Sequence, residues 1–254
     1  MRFFDLSLEI GPNLSEPVPV EIDYISHAEG ADILGKPIGI GREQFPNGMG
    51  LSLEHVKLTS HTGTHVDAPI HYGPLSEGKP AKSISELPLH WFYSDGVVLD
   101  CIGTSEDGDV SKHELVLALA KISYQLKPLD IVLINTGADQ LWGKPEYFTD
   151  FRGISKEATE WLVAQGIKVI GIDSFGFDKP FHLMLKAYQA SQEIEHLWPA
   201  HFFGREKEYC QIERLANLSE LPMPCGFKVC CFPIKLKDCG AGWSRVVAIY
   251  KGDE

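Results

Sequence analysis

The chain has 254 residues, 44% of them apolar, enough for one sizeable core. Its formal net charge of −12 argues against nucleic acid or an anionic membrane as partner, because either binds a basic surface. The opening MRFFDLSLEIGPNLSEPVPV is interrupted by Asp5, Glu9, Pro12 and Glu16, so neither a signal peptide nor a transmembrane helix is expected there, and a cytoplasmic location is.

Residues 1–50 are rich in Gly and Pro and read as a short strand at RFFDLSLEI followed by long loops. LSLEHVKLTSHT (51–62) alternates and reads as a strand running into a cluster of histidines. After that cluster, HYGPLSEGKPAKSISELP reads as loop. The middle of the chain then alternates in type. GVVLDC (96–101), DIVLINTG (130–137) and IKVIGIDS (167–174) are apolar strands. Between them, residues 111–126 form an amphipathic helix whose Ser111 and Glu114 make a capping box. Residues 155–166 form a second helix, capped by Ser155 and stopped by Gly166. Strand–helix–strand–helix–strand predicts right-handed crossovers and a parallel segment of sheet. CQIERL (210–215) reads as a short strand with Gln211 and Glu213 on one face, and the tail as two or three antiparallel strands. No linker divides the chain, so 1–254 is read as a single α/β domain with a mixed sheet. The six cysteines form no C-x-x-C pair and are expected as reduced thiols.

The stretch HTGTHVDAPIH puts His61, His65, His71 and Asp67 within eleven positions. Thr62, Gly63, Thr64, Val66 and Pro69 disfavour a helix. On an extended segment His65 and Asp67 point the same way, roughly 7 Å apart at Cα. Gly63 lets the backbone bend so that His61 reaches the same point. Two imidazoles and a carboxylate are a common three-ligand catalytic set with an open position for water, and they suit zinc or manganese. His71 reads either as a further ligand or as a proton carrier beside the ion. A histidine-rich surface loop is the plain alternative, and the Gly and Pro punctuation argues against it. The other histidines read as solvent-facing or satisfied core residues. Trp142 and Phe148 are candidates for a ring-binding pocket, or are ordinary core aromatics. Glu213 taken alone reads as a surface carboxylate paired with Arg205 or Arg214, and His201 as a helix-end histidine after Pro199.

HTGTHVDAPIH resembles the signature of the metal-dependent cyclase family of hydrolases, which includes bacterial kynurenine formamidases and isatin hydrolases. GIDSFGFDKP is similar to that family's central strand-end motif. AHFFGREKEYCQIERLANLSELP is similar to its second ligand segment, a His followed twelve residues later by a Glu and then by NL. The resemblance spans most of the chain and implies a swivelling β/β/α fold. It implies that His61, His65 and Asp67 hold one Zn2+ or Mn2+ ion, that His201 and Glu213 complete a second site, and that His71 is the catalytic acid/base. It implies a homodimer or homotetramer. Where the formamidases carry a ring-contacting Trp-Pro-Gly-Asp stretch, this chain has LSEPVPVEI. Isatin hydrolases work with a single manganese and lack the second-site Glu, so Glu213 leans toward the two-ion, formamidase-like arrangement.

The expected activity is metal-assisted hydrolysis of an amide, lactam or ester bond in a small, aromatic substrate, resembling arylformamidase action on N-formylkynurenine in tryptophan catabolism. Hydrolysis of an isatin- or lactone-type ring is the alternative within the class. A lyase using the ion as a Lewis acid is not separable from these by sequence. The alternative from another class is a metal-binding protein without turnover. No G-x-S-x-G elbow lies near a suitable His, which disfavours a serine hydrolase.

Overall fold

The structure is a computed structural model and describes residues 1–103 and 108–252. The described residues form a nine-stranded mixed sheet. From one edge its strands are Arg2–Asp5, Val247–Tyr250, Phe227–Cys230, Tyr93–Asp100, Ile131–Asn135, Val169–Ile172, Cys210–Glu213, His65–Asp67 and Ala241–Trp243. The four central strands, Tyr93–Asp100 to Cys210–Glu213, run parallel, and antiparallel pairs close both sides.

The parallel strands are apolar on both faces because both are covered. Ile131 and Leu133 face one core layer with Val66, Ile212 and Val229, while Val132 and Ile134 face the other. That second layer is roofed by the helices Lys112–Lys121 and Lys156–Ala164 through Leu115, Leu119, Ala158 and Leu162. Each fully buried aliphatic side chain contributes about 1.5–3 kcal/mol. The alternation in Cys210–Glu213 and His65–Asp67 has the same consequence. Ile212 and Val66 enter the first layer, which sends Gln211, Glu213, His65 and Asp67 to the helix-covered side.

Both helix starts follow the sequence. Ser111 accepts from Glu114 N and Glu114 answers it, and Ser155 accepts from Ala158 N. The first helix ends at Lys121, short of the expected 126, and Ile122 and Ser123 leave helical geometry, Ser123 with φ +51°. The region 1–50 differs from expectation. Ser26 and Glu29 build a capping box for a helix, His27–Gly35, whose mixed polarity hid its period. The alternating stretch 51–62 is likewise shorter than expected. Leu53–Lys57 pairs with Glu21–Ile25 in a separate, exposed two-stranded ribbon, and the chain re-enters the sheet only at His65. The tail gives three antiparallel strands, and all six cysteines are free thiols. No helix among the described residues is long and apolar enough to cross a membrane.

Candidate metal centre

His65 and Asp67 lie in the short strand between Cys210–Glu213 and Ala241–Trp243, and register places Glu213 directly opposite His65. Two buried strands thus aim an imidazole and two carboxylates at one point. His65 Nε2 lies 3.4 Å from Asp67 Oδ1 and 3.6 Å from Glu213 Oε2. His61 Nδ1 approaches Asp67 Oδ1 to 2.9 Å. It can do so because Gly63, at φ +60°, turns the chain sharply between the two histidines. His71 stands on the helical turn Pro69–Tyr72, with Nε2 4.0 Å from Asp67 Oδ2. From the opposite side His201, on the helix Pro199–Phe203, brings Nε2 to 3.6 Å from Glu213 Oε1 and 3.9 Å from Asp67 Oδ2. The six residues singled out in the sequence therefore meet in one place. Glu213 is buried and does not pair with Arg205 or Arg214, as it would if it were a surface carboxylate. Arg214 instead forms a buried pair with Glu16 at 2.8 Å, and Arg205 donates to Tyr72 O.

Three observations test whether these residues suit a cation. Asp67 Oδ2 and His65 Nε2 are buried and have no hydrogen-bond partner, and Asp67 Oδ1, equally buried, has only the His61 ring nitrogen 2.9 Å away. An uncompensated buried carboxylate costs several kcal/mol, more than one aliphatic side chain contributes, so the fold needs a counter-charge here. Most of the separations are too long for hydrogen bonds. Two donor atoms about 2.1 Å from one ion at a tetrahedral angle stand about 3.4 Å apart, which is the spacing seen. Among the described residues, two sets have all their donor atoms within 4.8 Å of one another: His61, Asp67 and His71, and His65, Asp67 and Glu213. Asp67 belongs to both. The donor set of imidazole and carboxylate fits zinc or manganese. The first set includes His71, so its position is compatible with ligation as well as with proton transfer.

The supporting contacts fix tautomers. His65 Nδ1 is 2.8 Å from Gly63 O, so it carries the proton and leaves the Nε2 lone pair facing the cluster. His201 Nδ1 is 2.6 Å from Asp178 Oδ2, which does the same for His201. Asp178 also accepts from Ala200 N and His201 N at 2.8 and 3.0 Å, holding the start of that helix. Glu213 Oε1 accepts from Phe177 N at 2.7 Å. Asp178 carried no role in the sequence reading. Its signal is weak, since in GIDSFGFDKP it stands in the loop six residues beyond the strand Val169–Ile172, and its partner is a histidine 23 positions on.

The charges follow. Burial pushes the Asp67 carboxyl up, but the surrounding imidazoles of His65, His71 and His61 outweigh it and hold the group well below the usual range. Burial pushes His71 down to about 4, assisted by its histidine neighbours and opposed by Asp67. It is therefore a neutral base at pH 7. Burial would also lower His201, yet Asp178, Glu213 and Asp67 raise it to about 9. The carboxylate surplus that keeps a proton on His201 favours a divalent cation, whose arrival would displace that proton.

A cavity of about 490 Å³ opens above the cluster, with His71, His201, Glu213 and Asp178 at its floor. Its walls are aromatic: Phe148, Phe151, Phe175, Phe177, Phe181 and Trp198. Phe148 is where the sequence reading offered it. Trp142 packs edge-on to Tyr147 and is not among the wall residues. His182, read as an unremarkable histidine, is exposed and lies along the cavity wall.

A mixed sheet with a buried His and carboxylate cluster under an aromatic cavity defines a metal-binding α/β architecture. The profile of the family described as Putative cyclase matches residues 4–179, and the chain belongs to that family. The matched residues contain His61, His65, Asp67 and His71; His201 and Glu213 lie beyond them. A kynurenine formamidase from Erythrobacter litoralis (strain HTCC2594) is 26% identical over 190 residues, 74% of this chain and 73% of that protein. Cyclase-like protein 2 of Oryza sativa subsp. japonica is 28% identical over 226 residues, 84% of this chain and 73% of that one. The solved isatin hydrolase A from Ralstonia solanacearum superposes with a TM-score of 0.75 at 21% identity, covering 98% of this chain and 92% of the other, and so shares the fold.

Proposed function

We propose that the chain is a metal-dependent hydrolase that cleaves a C–N or C–O acyl bond in a small aromatic substrate, with aryl formamides such as N-formylkynurenine as the leading class. The observation that carries this reading is the set of unpartnered donor atoms of His65 and Asp67, buried beside Glu213 at the floor of an aromatic cavity. His61, His65, Asp67, His201 and Glu213 would hold one or two Zn2+ or Mn2+ ions. A bound ion supplies Lewis acidity, polarising a carbonyl and making water nucleophilic at neutral pH. His71, neutral and facing the cavity, accepts the proton from the attacking water and returns it to the leaving nitrogen or oxygen. The phenylalanine walls hold the substrate ring and limit the water that reaches the floor.

Opening of an isatin- or lactone-type ring is the second reading. It is favoured by the N-terminal LSEPVPVEI, in which Glu16 binds Gly63 N and Arg214, where the formamidases carry a ring-contacting tryptophan. The test is elemental analysis of protein purified without chelator, followed by turnover assays of the metal-loaded protein on aryl formamides, isatin and lactones. We expect one or two transition-metal ions per chain and hydrolysis within this set. Protein that neither carries nor takes up metal would overturn the proposal.

The assembly is proposed as a homodimer or homotetramer. Tyr24 and Val56 share one face of the N-terminal ribbon and are more than half exposed, as is Ile33 on the neighbouring helix, apolar side chains that a second subunit would cover. Light scattering at micromolar concentration checks it, and a monomer would contradict it.

A further inference from the structure

Trp198 has a backbone that a large aromatic residue rarely adopts. Its φ and ψ are 48° and 50°, in the left-handed region, immediately before Pro199. A bulky side chain there is a strained position that the surroundings must hold in place, and such positions concentrate where a ligand is gripped. Several contacts hold it. Its ring stacks on Phe181 with centroids 5.1 Å apart and planes 26° apart and lies 6.5 Å from the Phe202 ring, its backbone N–H donates to Met184 Sδ at 3.2 Å, and its carbonyl accepts from Phe202 N at 2.9 Å. The stacked rings keep accessible surface, Trp198 being 38% and Phe181 48% exposed, and both line the cavity above the cluster. Phe148, across the same cavity, is 45% exposed and packs edge-on to Phe175.

The wall is also selective in charge. Its charged side chains other than histidine are Asp178, Glu213 and Lys179, and Lys179 already lies 2.5 Å from Asp109. Asp178 is bonded to His201, and Glu213 to Phe177 N. Among the described residues no guanidinium lines the cavity, so a carboxylate attached directly to the substrate ring would lose its hydration against the aromatic wall without a bidentate partner there.

Resting on the hydrolase reading above, we infer that Trp198, stacked on Phe181, determines specificity by gripping a flat, uncharged aromatic ring of the substrate while the scissile group sits over the metal cluster. A flat ring entering the cavity beside this aromatic pair gains offset stacking in addition to burial. A saturated ring of the same size keeps the burial and loses the stacking. The substrate class is therefore an aryl amide, lactam or ester with no carboxylate attached directly to its ring, which includes N-formylkynurenine, whose acid lies at the end of a side chain.

The experiment is calorimetric binding to the metal-loaded protein, with no turnover required. The probes are 2-naphthamide, its decahydro analogue and its 6-carboxy derivative. We expect 2-naphthamide to bind about tenfold more tightly than its decahydro analogue, the size of one good aromatic contact, and more tightly than the 6-carboxy derivative, whose charge the wall leaves without a guanidinium. Trp198→Gly should remove the preference over the decahydro analogue while keeping metal content, because glycine accepts φ near +48° without strain. Trp198→Phe should keep most of the preference. Phe181→Leu, which leaves the Trp198 backbone untouched, should reduce it as well. Equal affinities for the three probes in the wild type, or an unchanged preference in both Trp198→Gly and Phe181→Leu, would overturn the inference. Its failure is distinct from failure of the hydrolase reading. A protein that prefers 2-naphthamide through Trp198 but hydrolyses nothing keeps the ring site and loses the activity. One that hydrolyses aryl amides with no dependence on Trp198 does the reverse.

Discussion

The segment 61–71 and the segment 173–213 contribute to the same cluster in opposite ways. The first supplies four side chains from eleven consecutive residues, and needs only one strand, one turn and one helical turn to aim them. The second supplies His201, Glu213 and Asp178 from a helix, a strand and a loop that meet only after the sheet has formed. The first segment depends on local geometry; the second depends on register, since Glu213 reaches His65 only while Cys210–Glu213 pairs antiparallel with His65–Asp67. A metal centre built across both halves couples local chain shape to the tertiary fold, and loss of either half has a different signature.

The largest effect separates ligation from proton transfer inside the first segment. His65→Ala removes a buried donor, and metal and activity should vanish together. His71→Ala should leave metal content nearly intact and lower kcat by about 10²- to 10⁴-fold, the range for general acid–base catalysis. Metal analysis beside kinetics reads both. The two residues are six positions apart, so a general folding defect would affect both variants alike. If His71→Ala strips the ion as His65→Ala does, His71 is a ligand, as its place in the His61, Asp67 and His71 set allows. The first segment would then supply ligands alone.

A smaller effect probes the second segment. Asp178→Asn keeps the shape but removes the negative charge and leaves one acceptor oxygen where two now serve Ala200 N, His201 N and His201 Nδ1. That weakens the hold on the proton at Nδ1 and makes His201 a poorer ligand. Loss of such a supporting hydrogen bond typically lowers metal affinity about 10- to 100-fold. Competition with a chelator measures it directly. Asp178 also accepts two backbone N–H groups at the helix start, so a melting curve taken alongside shows how much of the effect is structural. Unchanged affinity would mean that His201 does not hold the ion.

The same contrast explains what the sequence disclosed. The parallel strands and their helices were readable because apolar runs and capping boxes at Ser111 and Ser155 are local signals. His61, His65 and Asp67 were readable because a period of two and one glycine bring them together. Glu213 read by itself was ambiguous, because nothing within CQIERL says that its partner strand lies some 145 residues earlier in the chain, a separation of about that order following from the Gln211 and Asp67 pairing. Asp178 was missed for the same reason. The helix His27–Gly35 was missed for another: its capping box was present, but four of its nine residues are Gly, Asp or Glu, which blurs the apolar stripe. The strained Trp198 had no signal at all, since backbone dihedrals of that kind arise from what surrounds the residue.

The smallest effect tests whether the first segment is as self-contained as its sequence suggests. Gly63 sits at φ +60°, and a Cβ there would stand 2.8 Å from Ile10 Cγ1. Its N–H also donates to Glu16 at 2.8 Å, so the N-terminal loop helps to hold the turn. Gly63→Ala should cost about 1–3 kcal/mol of stability, from the left-handed backbone and the collision together, read by denaturant unfolding. Metal affinity should fall with it, because His61 would swing away from Asp67. Ile10→Ala added to Gly63→Ala separates the two causes. Ile10 is only half-buried, so its own truncation is mild, and the double variant should recover the part due to the collision. Whatever remains belongs to the backbone. Full recovery would show that Ile10, and not the turn itself, limits the position, and that the histidine segment takes its shape from the N-terminal loop packed against it.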